Sequence, residues 1–329
     1  MDTGTHIAMG VALGGIATLD PVVANDPVLF QAVLVGTVVG SHAPDFDTVL
    51  KLKNNATYIR HHRGLTHSVP AIIIWGILIA SIIYMFVPSV NFFHLWAWTF
   101  LAVVIHVIVD IFNAYGTQAI RPFSNKWIAH GFINTFDPYI FGLHIVGICI
   151  WLIGAHPGYT WLIIYSIILI YYFKRYLDKR EIVESLKSYF PDVEKVATSP
   201  TMKQNYWRIA VTTTNHFYVG TVEDGHIQIH DEFEKVDLPD SPMMNIALTD
   251  ENISAFLSFS PVYRWEITER HEYVEVRFID LRYRSKGHYP FVAVVQINPE
   301  NHQIISSYTG WIFSEKKLQH KLQYDNHPI

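Results

Sequence analysis

Residues 96–112, WAWTFLAVVIHVIVDIF, form an apolar run that contains two ionisable residues, His106 and Asp110. The run has nearly the length of a membrane-spanning helix, in which ionisable groups are costly and usually functional. Residues four positions apart lie on one face of a helix, so the imidazole and the carboxylate can reach one point together. The pair predicts a metal site or, as the simpler alternative, a hydrogen bond that ties helices together.

Further His and Asp residues favour the metal site, since zinc and related transition metals bind imidazole and carboxylate. These residues occur in the segments HAPDFD (42–47) and HHRGLTHS (61–68), and at His6 and Asp137. A shell of two nitrogens and two oxygens is predicted from His106, Asp110, Asp45 or Asp47, and one of His61, His62 and His67. A second metal is expected to use His6, the remaining Asp or Asp137. The predicted ligands are His6, Asp45, Asp47, His62, His67, His106 and Asp110.

Charge divides the chain into two parts. Residues 1–173 contain only thirteen Asp, Lys and Arg residues and no Glu, whereas the rest holds forty of the fifty-three charged residues. The first part is therefore expected in the membrane and the second in water. A net charge of −5 disfavours nucleic acid as a partner. The single cysteine, Cys149, excludes an intramolecular disulfide and a cysteine metal cluster.

Six apolar segments are candidate spans, and the sequence predicts that four to six of them cross the bilayer. They are roughly 6–20, 28–41, 69–88, 94–113, 139–155 and 158–175. Lys and Arg occur only in alternate connections, at 42–68, at 114–138 and after the last segment. The positive-inside rule places these connections, both termini and every candidate ligand on the cytoplasmic side of a bacterial inner membrane.

The rest of the chain is predicted to be a charged helix and linker (176–200) and then a cytoplasmic β domain (201–329). Its segments alternate apolar and polar residues and are rich in Val, Ile, Thr and aromatic residues. Glu223-Asp224-Gly225-His226 and Asn298-Pro299-Glu300-Asn301 are typical of turns. The predicted fold is an α-helical polytopic membrane domain (1–175) followed by a small soluble antiparallel β domain, α+β overall.

The residues around 61–70 predict an anion site beside the metal. Ser68 and Pro70 are typical of the start of a helix, whose free amide groups and positive dipole end favour an anionic group. The Arg63 guanidinium can bind phosphate oxygens and stabilise developing negative charge. The predicted nucleophile is a water molecule activated by the metal, with Asp45 or Asp47 orienting it. Asp47 and Arg63 are the predicted catalytic residues.

These motifs, in this order, resemble a known bacterial family. They are Thr5-His6, Pro44-Asp45-Phe46-Asp47, His62-Arg63-Gly64-Leu65-Thr66-His67-Ser68, His106-Val107-Ile108-Val109-Asp110 and Tyr115-Gly116. The chain up to about residue 175 resembles the YdjM-like proteins, LexA-regulated metal-dependent hydrolases of the inner membrane. The resemblance implies a hydrolytic activity without naming a substrate. The β domain lies outside it.

The family in turn looks distantly like zinc-dependent phospholipase C, where a His-x-x-x-Asp helix, an upstream Asp and an upstream His bind zinc. His106, Asp110, Asp45 or Asp47, and His67 match those positions. A second downstream His-x-x-x-Glu helix has no counterpart, because residues 1–173 contain no Glu. The likeness therefore implies zinc and phosphodiester hydrolysis, but it does not extend to a cluster of three metals.

The leading hypothesis is a membrane-bound hydrolase that uses a divalent transition metal, zinc in the first place, on a phosphate ester or phospholipid-like substrate at the cytoplasmic face. The bilayer is its expected partner. One alternative is a metal or proton transporter with His106 and Asp110 in its pathway. Another is a membrane-anchored regulatory protein that acts through its β domain.

Overall fold

Helices dominate the chain up to residue 189 in the computed structural model, which describes residues 1–324. They are α1 (Thr3–Ile16), α2 (Pro21–Ala24), α3 (Pro27–Gly40), α4 (Asn55–His61), α5 (Val69–Phe86), α6 (Phe92–Ile111), α7 (Pro138–Leu152) and α8 (Pro157–Tyr189). Three 3₁₀ segments, Ala17–Leu19, Ala43–Leu52 and Leu65–His67, lie between them. Each of the six apolar segments found in the sequence overlaps one of the longer helices.

Two of the helices, α5 and α6, are long and apolar enough to cross a membrane. The bent pair of α3 and the 3₁₀ segment Ala43–Leu52 makes a third candidate if it is one span. The described residues thus hold two or three candidate spans by length and composition, fewer than the four to six predicted. The main reason is that α1 and α7 have only 14 and 15 residues, while a straight crossing needs about 20.

Small residues bring α1, α3 and α6 close together. A Cβ atom at Gly10 on α1 would lie 2.7 Å from the carbonyl oxygen of Thr37 on α3. A Cβ atom at Gly40 would lie 2.9 Å from the carbonyl oxygen of Thr99 on α6. The backbones of these helices therefore approach without intervening side chains, as is common in membrane helix packing. Because of this close packing, His6 and the C-terminal end of α3 lie near the C-terminal end of α6.

The chain divides into two compact units that are not continuous in sequence. The first contains Met1–Asp47, Arg63–Glu181 and Ser199–Gln204, and the second contains Thr48–His62, Ile182–Thr198 and the residues from Asn205 onward. Helix α4 belongs to the second unit, where it packs on α10 and β8, two elements defined below. This interleaving differs from the predicted boundaries, which follow the sequence without a break, because local patterns carry no record of long-range packing.

The second unit contains two four-stranded sheets with strands in sequence order, where the sequence predicts one β domain. The first sheet has β1 (Val193–Pro200), β2 (Tyr206–Thr213), β3 (His216–Glu223) and β4 (His226–Glu234). The second has β5 (Tyr263–Glu269), β6 (Val274–Asp280), β7 (Phe291–Ile297) and β8 (Ile304–Trp311). Three helices complete the unit, α9 (Pro242–Thr249), α10 (Glu251–Phe259) and α11 (Glu315–Tyr324). An α-helical region followed by antiparallel sheets confirms the predicted α+β fold.

Both predicted turns join consecutive strands. Asp224 and Gly225 have φ angles of 50° and 79° and connect β3 directly to β4, the geometry that an Asp-Gly pair favours. The segment that starts at Asn298 connects β7 to β8.

The predicted linker is corrected in part: α8 runs to Tyr189, but Val193–Pro200 is strand β1. Its place in a sheet depends on pairing with β2, which its own composition does not reveal.

Candidate metal centre

Four buried side chains meet at one point in the first unit. Asp45 lies on the 3₁₀ segment Ala43–Leu52, His67 ends the segment Leu65–His67, and His106 and Asp110 lie in the last turns of α6. One nitrogen or oxygen atom from each lies within 4.8 Å of the others. The i, i+4 pair therefore does meet an upstream Asp and an upstream His, as the sequence suggests.

The spacing of these atoms fits a tetrahedral metal ion. Bonds of about 2.0–2.2 Å place tetrahedral ligand atoms about 3.3–3.6 Å apart. The Nε2 atoms of His67 and His106 are 3.3 Å apart, and Oδ2 of Asp110 lies 3.5 Å and 3.6 Å from them. Oδ1 of Asp45 lies 3.6 Å and 3.8 Å from the same two nitrogens. Two carboxylates and two imidazoles at these distances form a donor set that a divalent cation matches.

Hydrogen bonds orient both imidazoles. Nδ1 of His106 lies 2.6 Å from the carbonyl oxygen of Ser41. A carbonyl oxygen only accepts hydrogen bonds, so Nδ1 donates, and the neutral ring presents a lone pair at Nε2. Nδ1 of His67 lies 3.1 Å from Oγ1 of Thr66. The Thr66 hydroxyl donates its hydrogen to Oδ2 of Asp47 at 2.7 Å, so its oxygen accepts from Nδ1 of His67. Partners of this kind fix the orientation of metal-binding histidines.

Thr66→Val tests this orientation, because it keeps the shape of the side chain and removes the hydroxyl. We expect metal affinity to fall about 10- to 100-fold, as for other lost partners of ligand histidines. The measurement is competition with a chromophoric zinc chelator on the purified protein. Thr160→Val is the control, since its hydroxyl donates only to the carbonyl of His156. Equal affinity in the Thr66 variant and the wild type would contradict the assignment.

Asp45 and Asp47 have different partners although they are two positions apart. One carboxylate oxygen of Asp45 and one of Asp47 lie within 4.8 Å of each other, so the difference is in what each group contacts. Asp45 faces His67 and His106, whereas Oδ2 of Asp47 accepts hydrogen bonds from the Arg63 backbone N–H at 3.1 Å and from the Thr66 hydroxyl. Asp47 thus holds the segment that carries His67, and its predicted catalytic role stays a prediction.

His6 contacts Oδ1 of Asp110, whereas His67 contacts Oδ2. Nε2 of His6 is 3.3 Å from Oδ1 of Asp110, and its ring stacks on that of His106 with 3.8 Å between centroids. The α-amino group of Met1 is also here, against Oδ1 of Asp110 and 2.8 Å from Nε2 of His6. His6 therefore contacts Asp110 but is not among the four clustered residues, and its predicted metal-binding role stays a prediction.

The Arg63 guanidinium contacts a candidate ligand, and its predicted catalytic role stays a prediction. Nη2 of Arg63 lies 3.3 Å from Oδ2 of Asp110, and the side chain is buried. The residue has φ 58°, which is uncommon outside glycine and needs support from its surroundings. The hydrogen bond from its backbone to Asp47 and one from Gln118 N–H to its carbonyl oxygen, at 2.9 Å, give that support. Arg63 therefore balances charge at Asp110.

The amide end of α5 is engaged within the fold, contrary to the predicted anion site. Ser68 caps the helix, with Pro70 in its first turn, as expected. However, the backbone N–H of Val69 donates to the carbonyl oxygen of Arg121 at 3.2 Å, and that of Ala71 donates to Oγ of Ser68 at 3.4 Å. Pro70 has no N–H, so the first turn keeps no free donor for a substrate.

Two other predicted residues have roles of their own. Asp137 caps α7 by accepting hydrogen bonds from the backbone N–H groups of Tyr139 and Ile140, and its second oxygen accepts one from Tyr171 at 2.8 Å. It is a structural residue in this fold. His62 belongs to the second unit, where its ring stacks on Tyr58 at 4.5 Å. Its metal-binding role stays a prediction.

Asn113 supports the centre and was missed in the sequence. Its Nδ2 donates to Oδ1 of Asp110 at 3.4 Å, and its Oδ1 accepts hydrogen bonds from the N–H groups of Tyr115 and Gly116 at 2.8 Å and 2.9 Å. The sequence signal for Asn113 was its position three residues after Asp110, the last residue of the His-x-x-x-Asp motif. The side chain fixes both the carboxylate and the turn that follows α6.

Gly116→Ala tests that turn. Gly116 has φ +70°, and an added Cβ would lie 2.2 Å from the carbonyl oxygen of Ile128. The left-handed conformation and the overlap together are expected to lower the free energy of unfolding by roughly 2–5 kcal/mol. Chemical denaturation in detergent measures it. Gly154 has positive φ, but an added Cβ there meets no other atom, and Gly142 has neither feature. The loss of unfolding free energy is therefore expected to decrease from Gly116→Ala to Gly154→Ala to Gly142→Ala. Equal losses at all three positions would contradict this prediction.

Comparison with known proteins gives matches along nearly the whole chain. A family model described as "YdjM inner membrane protein" matches residues 1–182. Models described as "YfhP middle domain" and "YfhP C-terminal alpha/beta plait domain" match residues 191–233 and 242–322. A protein of Bacillus subtilis (strain 168), "Uncharacterized protein YfhP", is 59% identical over 324 residues, which cover 98% of this chain and 99% of that protein. No solved structure matches, and the likeness to zinc-dependent phospholipase C stays a prediction.

Proposed function

Because the chain belongs to the YdjM inner membrane protein family, we propose that it is a membrane-bound, metal-dependent hydrolase that acts on a phosphate ester or phospholipid-like substrate. The observation that carries the proposal is the set of four buried side chains whose ligand atoms lie within 4.8 Å of one another. Two carboxylates and two imidazoles are the donor types that zinc and related metals bind.

His67, His106 and Asp110 are the proposed ligands that hold the metal, and Asp45 faces the reaction. The first three residues are 0%, 1% and 0% exposed, whereas Asp45 is 9% exposed and lies farthest from the imidazole nitrogens. A bound transition metal supplies Lewis-acid activation of water near neutral pH. Catalytic sites typically have three protein ligands, and these three residues would supply them here. Asp45 then orients the attacking water molecule and accepts its proton.

Exposed apolar side chains next to these residues support an amphiphilic substrate. Phe46 follows Asp45 in sequence and is 45% exposed, and Leu65, two residues before His67, is 65% exposed. The Phe46 ring contacts the Trp75 ring on α5, a candidate span, at 5.9 Å. An acyl chain beside a phosphate group would contact such side chains while the phosphate faces Asp45.

The activity is tested with the full-length protein in detergent. Purified protein is expected to contain a stoichiometric transition metal and to hydrolyse bis(p-nitrophenyl) phosphate, with phospholipids tested next. Removal of the metal by a chelator should abolish hydrolysis, and zinc should restore it. Folded protein that binds no zinc, manganese or cobalt would overturn the proposal.

The proposed topology places the centre at the cytoplasmic face, as the distribution of Lys and Arg suggests. Ser89 lies between the candidate spans α5 and α6, and Asn125 lies in the segment after α6. In a Cys149→Ser background, Ser89→Cys is expected to react with an impermeant thiol reagent in intact cells. Asn125→Cys is expected to react only after the cells are opened. Labelling of both positions in intact cells would contradict this topology.

Metal transport is the second candidate, because a second His–Asp contact, between His94 on α6 and Asp20 before α2, lies near the other end of α6. Nδ1 of His94 lies 2.6 Å from Oδ2 of Asp20, which also accepts a hydrogen bond from Trp98 at 3.1 Å. His94 and His106 are about 18 Å apart along the axis at 1.5 Å per residue. Zinc flux into proteoliposomes that requires both pairs would favour transport. Metal-dependent hydrolysis without flux would favour the hydrolase.

A further inference from the structure

A positively charged pocket lies in the second unit, between the first sheet and the chain that follows β6. Its volume is about 100 Å³. The strands β2, β3 and β4 form one wall, and the 3₁₀ segment Leu281–Tyr283 with the following turn forms the other. The side chains that carry its polar chemistry are Arg208, Thr221, His230, Arg282, Arg284 and Lys286.

Two of the four cationic side chains are held in place by carboxylates behind them. Arg282 is paired with Asp280, with Nη2 2.6 Å from Oδ2 and Nε 3.0 Å from Oδ1. Nε of Arg284 contacts Oδ2 of Asp231, which also accepts a hydrogen bond from Tyr289 at 2.7 Å. Neither carboxylate is among the residues that line the pocket. The guanidinium groups are thus fixed before any ligand arrives, which lowers the entropy cost of binding.

The other two cations have no counter-charge within the described part of the chain. Arg208 on β2 and Lys286 in the turn are exposed and form no ion pair there. The excess charge extends to β1, where burial and then the positive charge of Arg282 lower the pKa of Lys195. Arg208 and Lys286 thus leave an excess of positive charge in a pocket whose described lining has no carboxylate, and this excess attracts an anion.

We propose that this pocket binds a phosphate group of a small anionic ligand. Guanidinium groups match phosphate oxygens through paired N–H donors, and a lysine ammonium adds a point charge. Hydroxyl and imidazole groups are also present, with Oγ1 of Thr221 3.0 Å from Nε2 of His230. The volume admits one or two phosphate groups but not a nucleic acid strand. The site lies in the second unit and is independent of the metal-binding residues.

Inorganic pyrophosphate is the probe, titrated calorimetrically into the full chain in nanodiscs of neutral phosphatidylcholine at constant ionic strength. We expect saturable binding to the wild type. Arg208→Gln and Lys286→Gln should each weaken it about tenfold or more, the effect of losing one charge-assisted contact. Both side chains are exposed, so these variants should fold. Lys317→Gln, an exposed lysine on α11 outside the pocket, is the matched control.

Absence of saturable binding to the wild type would overturn the proposal. So would an equal loss in the Lys317 variant, which would indicate unspecific attraction to positive charge. The source of the phosphate is resolved by repeating the titration in nanodiscs that contain phosphatidic acid. Competition that requires Arg208 and Lys286 assigns the site to a lipid headgroup. Unchanged pyrophosphate affinity assigns it to a soluble phosphate compound.

Discussion

Asp45→Asn is expected to lower the rate of phosphodiester hydrolysis by about 10²- to 10⁴-fold, the usual effect of losing a general base, while the protein retains its metal. The reason is the position of Asp45, which is the most exposed of the four clustered residues and lies farthest from the two imidazole nitrogens. An amide has nearly the same shape as the carboxylate but does not accept a proton from water.

The measurement combines initial rates with elemental analysis of the same preparation. Asp20→Asn is the matched control, since Asp20 also contacts a histidine of α6, but near the start of that helix. It should leave both rate and metal content unchanged. If Asp45→Asn loses its metal, Asp45 is a ligand and the assignment of the base is wrong. If it retains both metal and activity, Asp45 takes part in neither.

Asp110→Asn and His106→Gln are expected to weaken metal binding by more than about 100-fold, because each removes a ligand and not merely a supporting partner, whose loss alone costs about 10- to 100-fold. Asp110 contacts His67 and His106 through Oδ2 and His6 through Oδ1, so its loss should be the more severe. Chelator competition on purified protein gives the affinity.

His94→Gln is the control on the same helix, since it removes an imidazole paired with Asp20 but lies near the other end of α6. Its metal content should equal that of the wild type. Far-UV circular dichroism and elution volume establish whether the ligand variants fold. Folded Asp110→Asn protein with a full complement of metal would contradict the centre as assigned.

The pair of His106 and Asp110 was predictable because helix periodicity is local and an ionisable group in an apolar run is conspicuous. The sequence did not decide whether Asp45 or Asp47 joins this pair. That choice depends on the partners that each carboxylate meets in the fold, which are two imidazoles for Asp45 and the Arg63–Thr66 segment for Asp47. The carbonyl of Ser41, which orients His106, has no sequence signal, since every residue has a carbonyl group.

In the β-rich part of the chain, too, local features were predictable and long-range pairing was not. The Asp-Gly turn between β3 and β4 follows from two adjacent residues, and the alternation of apolar and polar residues predicts strands. The partition of these strands into two sheets depends on pairing between distant segments. The inclusion of α4 in the second unit likewise arises from its contacts with α10 and β8, which local composition does not encode.

The four candidate ligands come from three separate segments of the chain, and Asp45 and Asp110 are far apart in sequence. An unfolded chain does not hold them together, so an ion that binds here binds the native state preferentially. Such an ion at 100 times its dissociation constant would add about 2.7 kcal/mol to stability. The amount of intact protein in the cell would then follow the intracellular supply of that metal, and starvation for it would hasten turnover by proteases.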